Sequence, residues 1–366
     1  MTGAVERVDI AIIGAGMAGA SLAAALGPGA KVVLVEAEER PGYHATGRSA
    51  AFWTESYGGP GVQPLTTASG PFLHQHGFLV PRGALTLAPA GNRAGAEAFA
   101  NRFRALGVRV DLLERFDIER MVPGLRPGWD HAAYEPDCCD IDVGGLHQHY
   151  LAVAHRNGVE LLCRSGLVAA ERDGSGWRLR LADGRQLTAG VLVNAAGAWA
   201  DAVAQSCGVA PLGIAAFRRT VAQLRTTPAA SPNLPLVLDL AESFYFKPES
   251  GRIWLSPHDE TPSAPCDAAP EELDVALAID RFESVVDWRI ERVEHRWAGL
   301  RSFAPDRLPV YGFDPADPKF FWFAGQGGFG IQTAPAAAEL AARLLHGEQG
   351  GAVDPAPYAP ARFRGG

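Results

Sequence analysis

The apolar positions of the chain fall into short runs and spaced stripes that predict alternating strands and helices. Residues 8–13 form an apolar run that ends on glycine and reads as a buried strand. Gly14-Ala15-Gly16-Met17-Ala18-Gly19 follows, then an alanine-rich apolar helix over 20–26. Residues 31–35 read as a second buried strand, ending on Glu36. Residues 40–51 are too polar and glycine-rich for a core strand, and predict a functional loop leading to a helix near Ser49. Further helices are expected over 66–76, over 96–106 (Phe99, Phe103 and Leu106 at helical spacing) and over 142–157 (Leu146, Tyr150 and Val153 on one side). Strands are expected over 83–87 and 159–162, and a connecting region over 109–140, broken at Pro123-Gly124 and Pro127-Gly128.

Residues 167–172, 176–181 and 185–187 predict a small antiparallel meander with Asp183-Gly184 as a turn. A separate apolar strand then starts at Val191 and runs into Ala196, Gly197 and Trp199. Residues 216–300 have a different texture, with β-type runs over 220–224, 243–247 and 252–256 and one amphipathic helix over 271–286. The last unit is a strand over 319–324, the turn Gly325-Gln326-Gly327-Gly328-Phe329-Gly330 and a helix over 331–345, followed from Gly350 by an irregular tail. The expected fold is α/β. A Rossmann-like domain is assembled from the discontinuous segments 1–80, 141–215 and 301–366. An α+β substrate domain with a large antiparallel sheet comes from 81–140 and 216–300.

Strand, glycine turn, helix, strand and acid over 8–36 make a dinucleotide-binding βαβ unit. Gly14 permits the tight turn, Gly16 lets the backbone approach a pyrophosphate, and Gly19 lets the helix pack on the strand. The helix N-terminus offers unpaired N–H groups to the phosphates. Glu36 is placed to accept hydrogen bonds from an adenosine ribose, and an acid there disfavours the 2′-phosphate of NADP. The motif alone leaves NAD and FAD open. The chain returns at 191–199 and again at 320–333, and a ligand touched by all three regions must be long, which favours FAD. The adenosine then lies near Glu36, the pyrophosphate at 14–19 and the ring system at 327–333. A helix N-terminus at 330–333 would place positive potential by the flavin N1 and C2 carbonyl.

Composition narrows the classes. The chain has 366 residues, 47% of them apolar, with 33 basic against 41 acidic residues and a net charge of −8, which argues against non-specific nucleic-acid binding. No apolar stretch is long enough to span a bilayer, and residues 1–7 lack a signal-peptide pattern, so a cytoplasmic protein acting on a small molecule is expected. Five cysteines show no metal-ligand spacing. Cys138-Cys139 reads as two ordinary thiols, and no metal site is expected.

Six stretches together resemble the D-amino acid oxidase superfamily of flavoenzymes: VDIAIIGAGMAGAS, PGYHATGRSAAFWTESYG, VLVNAAGAWADAVA, ESFYFKPESG, HRWAGLRSF and GQGGFGIQT. They occur in the same order over nearly the whole chain, and within the superfamily they are most similar to bacterial D-arginine dehydrogenases. The resemblance implies cofactor contacts from Gly14, Gly16, Met17, Ala18, Gly19, Glu36, Ala37, Thr46, Gly47, Arg48, Ser49, Ala50, Ala51, Val168, Ala196, Gly197, Trp199, Gly327, Gly328, Phe329, Gly330, Ile331, Gln332 and Thr333. It implies Arg301 as a carboxylate-binding arginine, Arg219 as a second arginine near the substrate, Tyr245 as a carboxylate hydrogen-bond donor and Tyr57 on a mobile loop over the flavin. Arg218 reads as a solvated or structural cation. Phe52, Ala84 and Gly328 would line the substrate pocket.

The implied reaction is hydride transfer from Cα to flavin N5, giving an imino acid and then a 2-oxo acid and ammonia, with no side-chain general base required. Two departures bear on substrate. Ala84 stands where D-arginine dehydrogenases carry a glutamate, and Phe52 where they carry a histidine. A guanidinium would lack its counter-charge, so neutral or apolar D-amino acids are expected over D-arginine. No cysteine occurs over 301–313, so the FAD is expected to be non-covalent. Residues 252–256 hold Trp254 and no lysine, which leans towards a quinone or other carrier over oxygen as electron acceptor. The same residues would also serve an FAD-dependent 2-hydroxy-acid dehydrogenase or a glycine/sarcosine-type amine oxidase.

Overall fold

The strand Glu6–Ile13 lies inside an eight-stranded sheet, with Gln186–Asn194 on one side and Val32–Val35 on the other, both parallel to it. This computed structural model describes residues 6–174 and 176–363; the features expected of 1–5 and 364–366 lie outside the described residues. Glu160–Leu162 extends the sheet beyond Val32–Val35, and Asp317–Ala324 pairs in parallel with Gln186–Asn194. All four residues of Val32–Val35 are buried, because both faces of a parallel sheet are covered. Period-two alternation divides the side chains between two cores. Ile10, Ile12, Leu34, Phe321 and Phe323 pack with Leu22 of the helix Met17–Ala25 and Leu340 of the helix Ala334–His346. Ala11, Ile13, Val33, Val35, Phe320 and Trp322 face the other way, against Trp177 and Leu192.

The meander and the strand from Val191 are one element. Gln186–Asn194 is antiparallel to Gly176–Leu181 over 186–189 and parallel to Glu6–Ile13 over 187–194. Gly190 hid this continuity, because it reads as a break. It sits where a Cβ would come within 2.9 Å of the Asp9 carbonyl oxygen, so it marks close strand approach.

The second sheet has ten strands. Its order is Gln326–Gly327, Arg289–Phe303, Ala215–Thr227, Arg252–Ser256, Tyr245–Glu249, Leu236–Asp239, Ala84–Pro89, Trp129–Glu135 and Asp111–Glu114, with Thr261–Ser263 on Ala215–Thr227. It is antiparallel throughout the described pairs except between Leu236–Asp239 and Ala84–Pro89. Residues 109–140, expected as a connecting region, carry regular elements of this sheet. They hold two of these strands, the helix Arg115–Met121 and the strand Cys139–Ile141. Arg289–Phe303, 15 residues long, gave no strand signal, because Arg289, Glu291, Arg292, Glu294 and Arg296 mask its alternation. It also runs across the 300/301 boundary expected between domains.

Three further expectations need correction. Residues 45–48 form a 3-10 turn, not the start of a helix, and the chain then runs extended into Phe52–Trp53, which pairs with Cys139–Ile141. The last long helix begins at Ala334, with Thr333 as N-cap and Pro335 in its first turn, so residues 330–333 are turn. The tail forms two 3-10 turns, Ala356–Tyr358 and Pro360–Phe363. Tyr358 is 2% exposed, and its hydroxyl donates to the Gly61 carbonyl at 2.8 Å. Among the described residues no helix is long and apolar enough to cross a membrane.

Gly14 takes φ +102°, and a Cβ on Gly19 would run into the Gly14 carbonyl oxygen. Gly19→Ala is expected to destabilise the flavin-free chain by about 1–3 kcal/mol, measured by urea unfolding. Gly16→Ala, whose Cβ would meet only Thr46 Oγ1 at 3.2 Å, is expected to lose much less.

Candidate active site

A cavity of about 410 Å³ opens between the two sheets. Its walls come from the glycine turn, from the second strand and its loop, from the return at 195–199, from the last glycine turn, and from the face of the ten-stranded sheet that carries Arg219, Tyr245 and Arg301. Glu36, 9% exposed, accepts hydrogen bonds from the Ala15 and Glu38 amides, both at 2.9 Å. Thr46 Oγ1 accepts from the Met17 amide at 2.9 Å at the start of the first helix. Arg48 reaches across the opening. It donates to the Ala268 and Ala298 carbonyls at 2.9 and 3.1 Å and pairs with Asp267, which also accepts from the Tyr43 hydroxyl at 3.0 Å. The strap carrying Cys266 and Ala268 thereby becomes part of the cavity wall.

Of the expected cofactor contacts, Gly14, Gly16, Met17, Ala18, Glu36, Ala37, Thr46, Arg48, Ser49, Ala50, Ala196, Gly197, Trp199, Gly327, Gly328, Gly330 and Ile331 line this cavity. The others stand behind or beside it. Gly19 packs on the glycine turn and Gly47 on the Gly42 carbonyl. Ala51 is next to the strand Phe52–Trp53. Val168 is 44% exposed, while its neighbours Gly166 and Leu167 line the wall. Phe329 packs with Phe303 and Val62. Gln332 bonds to the Thr54 amide, the Tyr57 carbonyl and Thr66, and Thr333 donates to the Phe329 carbonyl. Since the long helix starts only at Ala334, the lining at this end is the turn itself and not a helix N-terminus.

The far end of the cavity follows from strand register. Ala215–Thr227 and Arg289–Phe303 pair so that Phe217 faces Arg301 and Arg219 faces Gly299. The two arginines are thus diagonal neighbours on one face, with a glycine leaving room between them. Arg219 is 3% exposed. Its Nε donates to the Asp259 carbonyl at 2.7 Å and its Nη2 to Glu260 at 3.1 Å, while Nη1 is buried without a hydrogen-bond partner. Burial, and then the neighbouring Arg301 charge, pull the Arg219 guanidinium below its ordinary pKa. Arg301 forms no ion pair with a carboxylate among the described residues; its Nη1 donates to the Tyr57 hydroxyl. Arg218, expected to be solvated or structural, is structural: it is held by Asp274 at 2.9 Å and by Glu271.

Tyr245 is 1% exposed, and burial raises its phenol pKa against the pull of Arg301 and Arg219. Phe52 packs edge-on against Tyr57 and Tyr245, with ring centres 5.2 and 5.8 Å apart. Ala84 lies in the same cluster. Phe52 and Ala84 are not among the residues lining the cavity; they pack in the cluster beside Tyr245. Gly328 does line it, and a Cβ there would meet Arg301 Nη1 and, at 2.9 Å, the Tyr57 hydroxyl. Sequence reasoning missed His258. Its Nε2 lies 3.5 Å from the Tyr57 hydroxyl, and its pKa is pushed down to about 2 by burial and the Arg219 and Arg301 charges. It belongs to no recognisable motif. Gly299, also missed, was legible inside HRWAGLRSF.

An acid at the end of the second strand, a glycine turn free of side chains and a cavity continuing to a polar pocket fit FAD. The sequence pattern of the DAO family, FAD dependent oxidoreductases, matches residues 9–344. The chain belongs to this family. It is an oxidoreductase with FAD as cofactor. It is similar to the hydrogen cyanide synthase subunit HcnC of Pseudomonas aeruginosa, 26% identical over 280 residues that cover 75% of this chain and 64% of that one. It is also similar to a glycine oxidase of Pseudomonas putida, 29% identical over 74% of this chain and 72% of the relative. In fold it matches glycine oxidase from Geobacillus kaustophilus, with a TM-score of 0.85 and 24% identity over 98% of this chain and 99% of that one. It equally matches L-proline dehydrogenase from P. horikoshii, with a TM-score of 0.86 and 20% identity over 99% of each chain. Among the described residues of this DAO-family oxidoreductase, no cluster of His, Cys, Asp or Glu could hold a metal ion.

Gly328→Ala is expected to weaken binding of a carboxylate to the flavin-loaded protein about 10-fold by displacing Arg301, a loss of about 1.4 kcal/mol, read by titrating the flavin spectrum. His258 gives a pH signature. Its folded pKa lies below the ordinary 6.5, so below about pH 6.5 the unfolded chain binds a proton that the folded chain does not. The stability it contributes is present above that pH and lost as pH falls, by up to about 1.4 kcal/mol per unit. Urea unfolding at about pH 7 and about pH 5 should show a smaller acid loss in His258→Asn than in the parent.

Proposed function

We propose that this enzyme oxidises α-amino acids at the Cα–N bond, with neutral or apolar D-amino acids preferred over D-arginine, and releases a 2-oxo acid and ammonia. The observation that carries this reading is the arginine pair. Arg301 has no carboxylate partner among the described residues, and Arg219 keeps one buried Nη1 unbonded. Together with two tyrosine hydroxyls they form a receptor for a planar anion. In this reading Arg301 and Arg219 hold the substrate carboxylate, and Tyr57 and Tyr245 donate to it. Two nearby guanidiniums disfavour an ammonium group, so the amine binds neutral. FAD, when bound, supplies the acceptor for the Cα hydride. The protein contributes position and electrostatics, and His258, held neutral, adds no further charge.

The backing of the pocket supports the side-chain preference. Ala50, Phe52, Ala84, Cys138, Leu236 and Tyr245 form an apolar cluster. Glu135, opposite Ala84 in register, has both oxygens engaged by the loop 55–56. A second reading, glycine-type amine oxidation, is supported by the two Pseudomonas glycine oxidases that are 28–29% identical to this chain. The FAD is held non-covalently, and electrons pass to a quinone or other carrier. At the position considered for oxygen activation stands Trp254, bonded to Gln223 at 3.2 Å, and the neighbouring Lys247 is tied to Asp140 at 2.7 Å.

Anaerobic bleaching of the flavin by D-methionine, D-leucine, D-phenylalanine, D-arginine, glycine, sarcosine and 2-hydroxy acids tests this reading. Neutral D-amino acids should bleach it with kcat/KM at least about 10-fold above D-arginine, with ammonia released, and Arg301→Gln should lower that kcat/KM on the order of 100-fold. Preference for D-arginine, or bleaching by 2-hydroxy acids alone, would overturn it.

A further inference from the structure

Glu135 ends the strand Trp129–Glu135, is 3% exposed and forms no ion pair with a basic side chain among the described residues. A buried carboxylate without counter-charge is costly, so what its oxygens hold is informative. Oε1 accepts the Glu55 amide at 2.6 Å and Oε2 accepts the Ser56 hydroxyl at 2.6 Å, and Ser56 Oγ lies 3.3 Å from Thr54 Oγ1. The same short loop is held from the opposite side by Gln332, 2% exposed. Its Oε1 accepts the Thr54 amide at 3.4 Å, and its Nε2 donates to the Tyr57 carbonyl at 3.1 Å and to Thr66 Oγ1 at 2.9 Å. Residues 54–57 are therefore pinned between the ten-stranded sheet and the last glycine turn. Tyr57 leaves this double pin with its hydroxyl on Arg301 and its ring against Phe52 and Phe329.

We infer that Glu135 is a positioning residue: it fixes the loop 54–57 so that Tyr57 completes the carboxylate receptor around Arg301. This rests on the carboxylate reading of Arg301 given above. Glu135 touches neither substrate nor cofactor in this role. It replaces the water that would otherwise satisfy the Glu55 amide and the Ser56 hydroxyl, and it removes the freedom with which Tyr57 would swing off Arg301. Glutamine can do the same. Its carbonyl oxygen accepts the Glu55 amide, and its NH₂ donates to a Ser56 hydroxyl rotated to accept. Alanine cannot.

The test uses the FAD-loaded enzyme and benzoate, which carries a carboxylate but no oxidisable C–N bond, with affinity read from the perturbed flavin spectrum. Glu135→Ala should weaken benzoate binding about 5- to 10-fold and raise KM more than it lowers kcat, and Glu135→Gln should stay within about twofold of the parent. In a Tyr57→Phe background, Glu135→Ala should add less than about twofold, because the loop no longer has a hydroxyl to place. Ser56→Ala, which removes only one strut, supplies the same comparison if Glu135→Ala folds poorly. Benzoate affinity unchanged in Glu135→Ala and Ser56→Ala, or a loss that persists undiminished in the Tyr57→Phe background, overturns the inference. Arg301→Gln with unaltered benzoate affinity marks failure of the carboxylate reading itself, and the positioning role falls with it.

Discussion

Two guanidinium groups held on one face of a sheet, one of them without an acid partner among the described residues, set the terms for the rest of this molecule. Like charges in a buried site repel, and each loses hydration. Arg219 is tolerated because Asp259 and Glu260 hold two of its nitrogens. Arg301 is tolerated because a tyrosine hydroxyl meets it. Neither arrangement would survive in a flexible segment. The two arginines sit on the longest strand pair of the fold, joined from Ala215↔Phe303 to Thr227↔Arg289, which fixes their separation through backbone geometry. The electrostatic strain is carried by that ladder, and an anion is the group that would relieve it.

The same face gives the cavity two kinds of wall. The parallel sheet offers strand ends and glycine turns, where backbone can approach a long polar molecule. The antiparallel sheet offers side chains at fixed diagonal spacing. Arg48 and its strap join the two, so the cavity is closed by residues from both layers. Matching to the DAO family over residues 9–344 accords with this division.

Much of the nucleotide side was legible in the sequence, because its signals are local. A glycine turn between a buried strand and a helix means the same thing wherever it occurs, and Glu36 follows at a fixed distance. The substrate side was legible only where a motif named the residue. Arg219 and Arg301 could be singled out, but their adjacency depends on a register set by a strand whose exposed face is crowded with charge. His258 and Glu135 left no local trace, since each is defined by what packs around it. That Phe52 and Ala84 come together beside Tyr245 depends on side-chain direction across two different sheets. Helix boundaries near Ser49 and Ile331 failed for a common reason: glycine-rich segments beside a ligand chamber run as turns, keeping backbone groups free.

The order in which the parallel sheet is threaded has a consequence for biogenesis. Its strands come from Glu6–Ile13, Val32–Val35, Glu160–Leu162, Gln186–Asn194 and finally Asp317–Ala324. Glu6–Ile13 and its neighbour Val32–Val35 lie close together in sequence, yet the last parallel strand of their sheet, Asp317–Ala324, and the glycine turn beyond it come about 280 residues later. The cavity wall formed by that turn thus joins the rest of the cavity only when this late strand pairs. Only local pairs such as Glu6–Ile13 with Val32–Val35 form early; closing the parallel sheet depends on segments far apart in sequence, Gln186–Asn194 with Glu6–Ile13 and Asp317–Ala324 with Gln186–Asn194, under the entropic cost of distant pairing.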